Sequence, residues 1–362
     1  MPSPRRTRRL PPAYFRALAS SGLRTPIGTD LVLHEQSQPE AIRLDGPRLA
    51  DVVVRAAERY RTPFAIPLMD LRLEKADLLH RLRPDAADTD TFHFDDPPTA
   101  EDVDRARAGA NAPFLAGHRA HFDAIAEVAA RTGLTPLGIA IGPFSLMTKL
   151  LADPISAVVL AGRGVPAEDE PLVAAAERGL LLAELTVERS LRAQLEAGAA
   201  AVIVCEPAAS ALFVSPRQMA HGSPVFDRFV LEPLVRLKAL LDDHGADLFL
   251  HDCGEPTTSM IEALAGRLRP AVLSLGSSRR LWEDAAVVPP DTVLFGNLPT
   301  KHFYSDETLP LEAVRTMTRD LVARMRETGH PFILGSECDV LHVPQAATTI
   351  RRKVEAMLTE EA

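Results

Sequence analysis

The sequence predicts an α/β fold, a (β/α)8 TIM barrel with an N-terminal extension. Eight short apolar runs alternate mostly with amphipathic helical segments, which is the order of a barrel of parallel strands. The chain has 362 residues, which exceeds the roughly 250 residues of a typical barrel. We therefore place an N-terminal extension at residues 1–61 and the barrel at residues 62–362.

The predicted strands are short and rich in Val, Ile, Leu and Phe, as expected for strands that are buried on both faces. In chain order they are residues 64–68, 91–94, 137–141, 201–204, 248–250, 271–273, 292–295 and 332–334. The segment 172–197, rich in Leu, Ala and Glu, predicts a long helix between two of these strands. An open doubly wound sheet is the alternative, but no Gly-x-Gly-x-x-Gly follows a strand, which argues against its dinucleotide-binding form.

Composition and charge narrow the class of protein. With 46% hydrophobic and 25% charged residues, the composition fits a soluble globular enzyme. We expect its substrate to be a small molecule. Its net charge of -9 argues against nucleic acid as a partner, and no run of about 18 apolar residues predicts a membrane span. Three cysteines argue for a reducing compartment, so we expect a cytoplasmic protein.

Sulfur and imidazole follow two of the predicted strands. His251 and Cys253 come directly after one apolar run, and Cys338 comes shortly after the last run. Residues two apart in an extended segment point to the same side, so His251 and Cys253 can reach one ion. One imidazole and two thiolates suit Zn²⁺ with an open fourth position, an arrangement typical of catalytic zinc. The alternative is that both cysteines are buried thiols and the histidine is a hydrogen-bonded barrel residue.

Two carboxylates also follow predicted strands, where the catalytic groups of barrels gather. Glu206 could act as a base or bind substrate beside a metal, or it could be a solvated loop carboxylate. Asp70 could be an acid in the pocket or the N-cap of a helix. We treat both as candidate catalytic residues.

Several segments together resemble the uroporphyrinogen decarboxylase-like superfamily, specifically its zinc-dependent methylcorrinoid:coenzyme M methyltransferase branch. The resemblance covers roughly residues 62–357 and rests on the order and spacing of short motifs. They are His251-Asp252-Cys253-Gly254 with the later Cys338, Gly142-Pro143-Phe144-Ser145, Val214-Ser215-Pro216, Phe229-Val230-Leu231-Glu232-Pro233 and Gly296-Asn297-Leu298.

The resemblance implies a barrel in which His251, Cys253 and Cys338 hold zinc, in a protein that is a monomer or a homodimer. It implies methyl transfer from a methylated corrinoid, carried on a separate protein or supplied as free cofactor, to a thiol or a folate. Gly142 and Pro143 could admit a flat ligand such as a corrin ring or simply form a tight turn, and Asn297 is assigned to the cofactor site.

The sequence also departs from the decarboxylases of this superfamily. It has no Arg-Gln-Ala-Gly-Arg-Tyr segment, and Val204-Cys205-Glu206-Pro207 stands where they carry Phe-Asp-Ser. These differences argue against porphyrinogen decarboxylation. A metal-independent decarboxylase or lyase using Asp70 and Glu206 is the first alternative function, and a non-catalytic corrinoid-binding protein is the second.

Overall fold

The computed structural model describes residues 9–85 and 88–361, so the first eight residues of the predicted extension lie outside it. Eight parallel strands form one sheet with the order β1-β8-β7-β6-β5-β4-β3-β2. The strands are β1 Arg24–Ile27, β2 Phe64–Ala65, β3 Thr135–Ile141, β4 Ala201–Cys205, β5 Asp247–Asp252, β6 Val272–Leu275, β7 Val293–Leu298 and β8 Phe332–Asp339.

The sheet curls on itself, and its interior identifies it as a barrel. One cluster of buried side chains draws members from all eight strands: Ile27, Phe64, Leu137, Ile139, Ala201, Ile203, Cys205, Phe249, Val272, Val293, Phe295 and Ile333. Alternate residues of a strand point to opposite faces, so Leu248 and Leu250 pack outward against the helices while Phe249 points inward. The predicted (β/α)8 TIM-barrel fold is confirmed.

Sixteen α-helices are described. The first eight are α1 Tyr14–Ser20, α2 Thr29–Leu33, α3 Pro39–Ile42, α4 Gly46–Arg59, α5 Leu73–Leu82, α6 Ala100–Ala108, α7 Ala116–Arg131 and α8 Pro143–Leu150. The others are α9 Pro154–Gly162, α10 Pro171–Ala197, α11 Pro216–Ala220, α12 Glu232–His244, α13 Thr258–Leu268, α14 Leu281–Asp284, α15 Leu311–Thr328 and α16 Ala347–Thr359. None of the helices in the described ranges is long and apolar enough to cross a membrane.

Local sequence sets the ends of the principal helices. Helix α10, the predicted long helix, begins where Glu170 accepts a hydrogen bond from Leu172 N and ends at Gly198, whose φ of 108° suits glycine. Helix α6 begins with a capping box in which the side chains of Thr99 and Asp102 each accept a hydrogen bond from the other residue's backbone N–H.

One predicted strand is wrong. Residues 91–94 form no strand, and Phe94 makes only an isolated bridge to Leu151. The remaining strand of the barrel is β1, which lies inside the predicted extension and pairs with β8. It is only four residues long and contains Pro26, which has no N–H to donate, so it lacks the pattern of a barrel strand. Among the described strands β1 pairs only with β8, so its other edge needs no N–H donor and the proline is tolerated.

The N-terminal segment also closes the bottom of the barrel. Phe15 of α1 joins the interior cluster, and its ring centroid lies 5.8 Å from that of Phe64. The neighbouring Tyr14 hydroxyl forms a hydrogen bond of 2.5 Å with the hydroxyl of Thr135 at the start of β3. With this end covered, the C-terminal ends of the strands are where a ligand can enter.

Candidate metal centre

An imidazole and two thiols meet at the C-terminal end of the barrel. His251 belongs to β5, Cys253 follows that strand, and Cys338 is the second-last residue of β8. One ligand atom from each of the three residues lies within 4.8 Å of the others. Two strands separate β5 from β8 in the sheet, so this convergence depends on the curvature of the barrel. The structure brings the predicted set together, while its occupation by a metal stays a prediction.

The His251 ring is held in a way that leaves one nitrogen free. Its Nδ1 lies 2.8 Å from the hydroxyl of Ser274 on the neighbouring strand β6. Its Nε2 is buried and has no hydrogen-bond partner among the described residues. A buried polar atom without a partner is costly, and a ligating histidine commonly uses its second nitrogen to hold its orientation. Both features fit a ring prepared to coordinate an ion through Nε2.

The two thiols influence each other's ionisation. A hydrogen bond from Cys253 lowers the pKa of Cys338 despite burial, and His251 and Lys301 add to the lowering. The same hydrogen bond, together with burial, raises the pKa of Cys253. Without an added positive charge, the pair therefore favours one thiolate and one thiol. Cys205, the third cysteine, lies fully buried in the barrel interior and outside the convergent group.

Two further residues of the centre were not singled out as site residues from the sequence. Ser274 is paired with His251 in the sheet. Because it follows the predicted strand next to that of His251, the sequence could have predicted that the two residues lie close together. Lys301 lies in a short turn after β7, and its charge lowers the pKa of both thiols. No periodic pattern marks a loop position such as this one.

Glu206 is not a solvated loop carboxylate, so that alternative is wrong. Its side chain is fully buried and accepts hydrogen bonds from the backbone N–H groups of Phe144 and Ser145 at the start of α8. Burial raises its pKa to about 7, and the hydrogen bonds from Ser145 and Phe144 oppose this change. The carboxylate thus caps a helix and is not part of the convergent group. Its catalytic role stays a prediction.

Gly142 and Pro143 form the turn from β3 into α8, with Pro143 in the first helical turn. A Cβ added to Gly142 would lie 2.0 Å from Glu206 Oε2, so glycine is required there by the carboxylate. A tight turn packed against Glu206 is therefore sufficient to explain why glycine and proline occupy these two positions. Contact with a flat cofactor stays a prediction.

Asp70 and Asn297 are both engaged by neighbours. Asp70 accepts hydrogen bonds from Arg72 Nε and Nη2 at 2.8 and 2.9 Å, and these outweigh burial and lower its pKa. It is not the N-cap of α5, because Arg72 holds that position. Asn297 Nδ2 donates to the carbonyl oxygens of Gly276 and Arg279 and so fixes the loop after β6. The predicted roles of Asp70 in catalysis and Asn297 in cofactor binding are untested.

The comparison with solved structures finds matches at low sequence identity. A methyltransferase from Methanosarcina mazei superposes with a TM-score of 0.62 at 15% identity, covering 93% of this chain and 92% of that chain. A 3-keto-D-glucoside 4-epimerase from E. coli gives a TM-score of 0.39 at 14% identity, covering 74% of this chain and 98% of the other. The comparison with curated proteins gives no match.

Family models give a more specific result. The model described as Uroporphyrinogen decarboxylase (URO-D) matches residues 34–357, which is most of the chain and includes all three residues of the centre. The match begins upstream of the predicted barrel boundary. The chain therefore belongs to the uroporphyrinogen decarboxylase family.

Proposed function

We propose that the protein is a zinc-dependent methyltransferase that moves a methyl group from a methylated corrinoid to a thiol. The observation that carries the proposal is the convergence of ligand atoms from His251, Cys253 and Cys338 within 4.8 Å of one another. Zinc bonds of about 2.3 Å to sulfur and about 2.0 Å to nitrogen place tetrahedral ligands about 3.5–3.8 Å apart. The observed set therefore needs only small movements to hold the ion.

Three protein ligands leave a fourth position for a substrate. A bound zinc would hold an acceptor thiol there as thiolate at neutral pH, where a free thiol with a pKa near 8.5 is mostly protonated. Cys253 and Cys338 supply two negative charges that keep the bound sulfur electron-rich, and Ser274 fixes the ring of His251. In the overall reaction a carbon–sulfur bond forms and the cobalt–carbon bond breaks with its electron pair left on cobalt. The thiol proton passes to solvent.

Two observations favour methyl transfer over metal-independent decarboxylation. The carboxylates that the alternative needs are already occupied, since Asp70 pairs with Arg72 and Glu206 caps α8. The Methanosarcina mazei structure with the same fold is named a methyltransferase, which supports the reaction class. We propose that the methylated corrinoid is carried by a separate small protein.

The test is methyl transfer by zinc-loaded protein from methylcobalamin to a panel of small thiols. Mass spectrometry would detect the thioether, and the change in cobalamin absorbance would give the rate. We expect turnover that stops after chelation and returns when zinc is added. Turnover that is indifferent to chelation, or tight corrinoid binding with no thioether from any thiol, would contradict the proposal.

Replacing Ser274 by alanine is expected to weaken zinc binding without abolishing it. The substitution removes the hydroxyl that lies 2.8 Å from His251 Nδ1 and so frees the ring to rotate. Loss of such an orienting partner typically costs about 10- to 100-fold in metal affinity. Competition with a chromophoric chelator would measure the zinc affinity of both proteins. Ser259→Ala, on the exposed start of α13, is the control, and equal affinities in wild type and Ser274→Ala would contradict the expectation.

A further inference from the structure

A groove lies at the same end of the barrel as the predicted centre. It has a volume of ≈ 540 Å³ and is lined by segments that follow β2, β3 and β4. This volume is within the range of small-ligand sites. We call it the basic groove because Arg72, Lys75 and Lys149 all contribute to its lining.

The two lysines of the basic groove have no carboxylate of their own. Lys75 is only 4% exposed, and its Nζ donates to the backbone carbonyl of Asp90 at 2.9 Å. Lys149 is exposed on α8. Within residues 9–85 and 88–361, neither ammonium forms an ion pair. At hydrogen-bond distance the Lys75 ammonium meets only this neutral carbonyl, which compensates its charge poorly.

The charged residues that line the groove are Arg72, Lys75, Lys149 and the acidic Asp90, so the lining itself carries an excess of positive charge. Arg72 is paired with Asp70 at 2.8 Å and is 3.7 Å from the Asp90 carboxylate, so it is largely balanced. Burial and then the charge of Lys149 lower the pKa of Lys75, and the carboxylates of Asp90 and Asp88 oppose this less strongly. The two lysines therefore repel each other across a space that an anion could fill.

The basic groove adjoins the loop that carries a predicted zinc ligand. Pro207 lines the groove, and its carbonyl oxygen is 2.2 Å from where a Cβ on Gly254 would lie. Gly254 directly follows Cys253. On the other wall, Ser145 receives a hydrogen bond from Ala208 N and so ties α8 to the segment after β4. A molecule in the groove would thus contact Pro207, which packs against the loop that carries Cys253.

We propose that the basic groove binds an anionic group, a carboxylate, sulfonate or phosphate, of the substrate that reacts at His251, Cys253 and Cys338. The substrate assignment rests on the proposed function, whereas anion binding itself does not. Lys149 and Lys75 contact the anion directly, and Arg72 fixes the edge of the groove through its pair with Asp70.

Inorganic phosphate is the probe, titrated into the protein by calorimetry at low ionic strength, both as purified and after chelation of metal. Lys149→Gln removes an exposed charge and keeps the fold, and Lys75→Met removes the buried charge. Lys238→Gln is the matched control, because Lys238 is paired with Asp242 on the outer helix α12. We expect phosphate binding to weaken about 3- to 10-fold in Lys149→Gln and to be unchanged in Lys238→Gln.

The outcomes separate this proposal from the proposed function. Phosphate affinity that is equal in wild type, Lys149→Gln and Lys75→Met overturns the groove assignment, as does absence of binding to the wild type. Lysine-dependent phosphate binding by a protein that transfers no methyl group supports anion binding and rejects the methyltransferase. In an active protein, phosphate should inhibit turnover of the wild type more strongly than that of Lys149→Gln, and binding without inhibition overturns the link to the substrate.

Discussion

Replacing Cys253 or Cys338 by alanine is expected to weaken zinc binding so far that the ion is lost during gel filtration, and to stop methyl transfer with it. Each substitution removes one of the three ligand atoms that lie within 4.8 Å of one another. Four-ligand zinc sites bind with about 10–16 kcal/mol, so one ligand accounts for roughly 3–4 kcal/mol. We therefore expect zinc affinity to fall on the order of 10²- to 10³-fold.

Cys205→Ala is the matched control for these two variants. Cys205 is paired with His251 in the sheet, yet its side chain is fully buried in the barrel interior and its pKa is raised well above the usual value, mainly by burial. We expect this variant to lose some stability and to keep its zinc. Elemental analysis after zinc loading and gel filtration would compare the four proteins. Full zinc in Cys253→Ala and Cys338→Ala, or equal loss in Cys205→Ala, would contradict the assigned ligand set.

The same three residues show how far sequence reasoning reaches. His251 and Cys253 could be placed together because alternation along a strand is a local rule. Cys338 could be added because parallel strands of a barrel end on one face. Ser274 contacts Nδ1 of His251 and thereby leaves Nε2 free. The sequence could not predict this contact, because it depends on the register of β5 against β6.

Other features depended on contacts between distant segments, which the sequence pattern does not encode. Because Pro26 is unusual in a barrel strand, the sequence did not predict β1. This strand pairs with β8, which lies about 310 residues later in the chain. Glu206 looked like a loop carboxylate because nothing in its own neighbourhood indicates that the start of α8 covers it. The contacts of Asn297 could not be predicted for the same reason, since its side chain donates to carbonyl groups of another loop.

Gly142→Ala is expected to destabilise the protein strongly, although it adds one methyl group. Gly142 has φ −74° and ψ 157°, an extended conformation that alanine adopts without strain, so only space forbids the substitution. The added Cβ would lie 2.0 Å from Oε2 and 2.5 Å from Cδ of Glu206. Because two backbone N–H groups of α8 hold this buried carboxylate, it must break those hydrogen bonds to move. We expect a loss of about 2–5 kcal/mol in the free energy of unfolding.

Gly266→Ala makes the opposite prediction from the same chemical change. Gly266 lies in α13, and a Cβ there meets no atom within 4 Å. Alanine favours a helix over glycine by up to about 1 kcal/mol, so this variant should be as stable as the wild type or more stable. Thermal unfolding followed by circular dichroism would compare the three proteins, with a midpoint about 3–6 °C lower expected for Gly142→Ala. Equal midpoints for the two alanine variants would show that Glu206 moves freely, and its role as the cap of α8 would then be wrong.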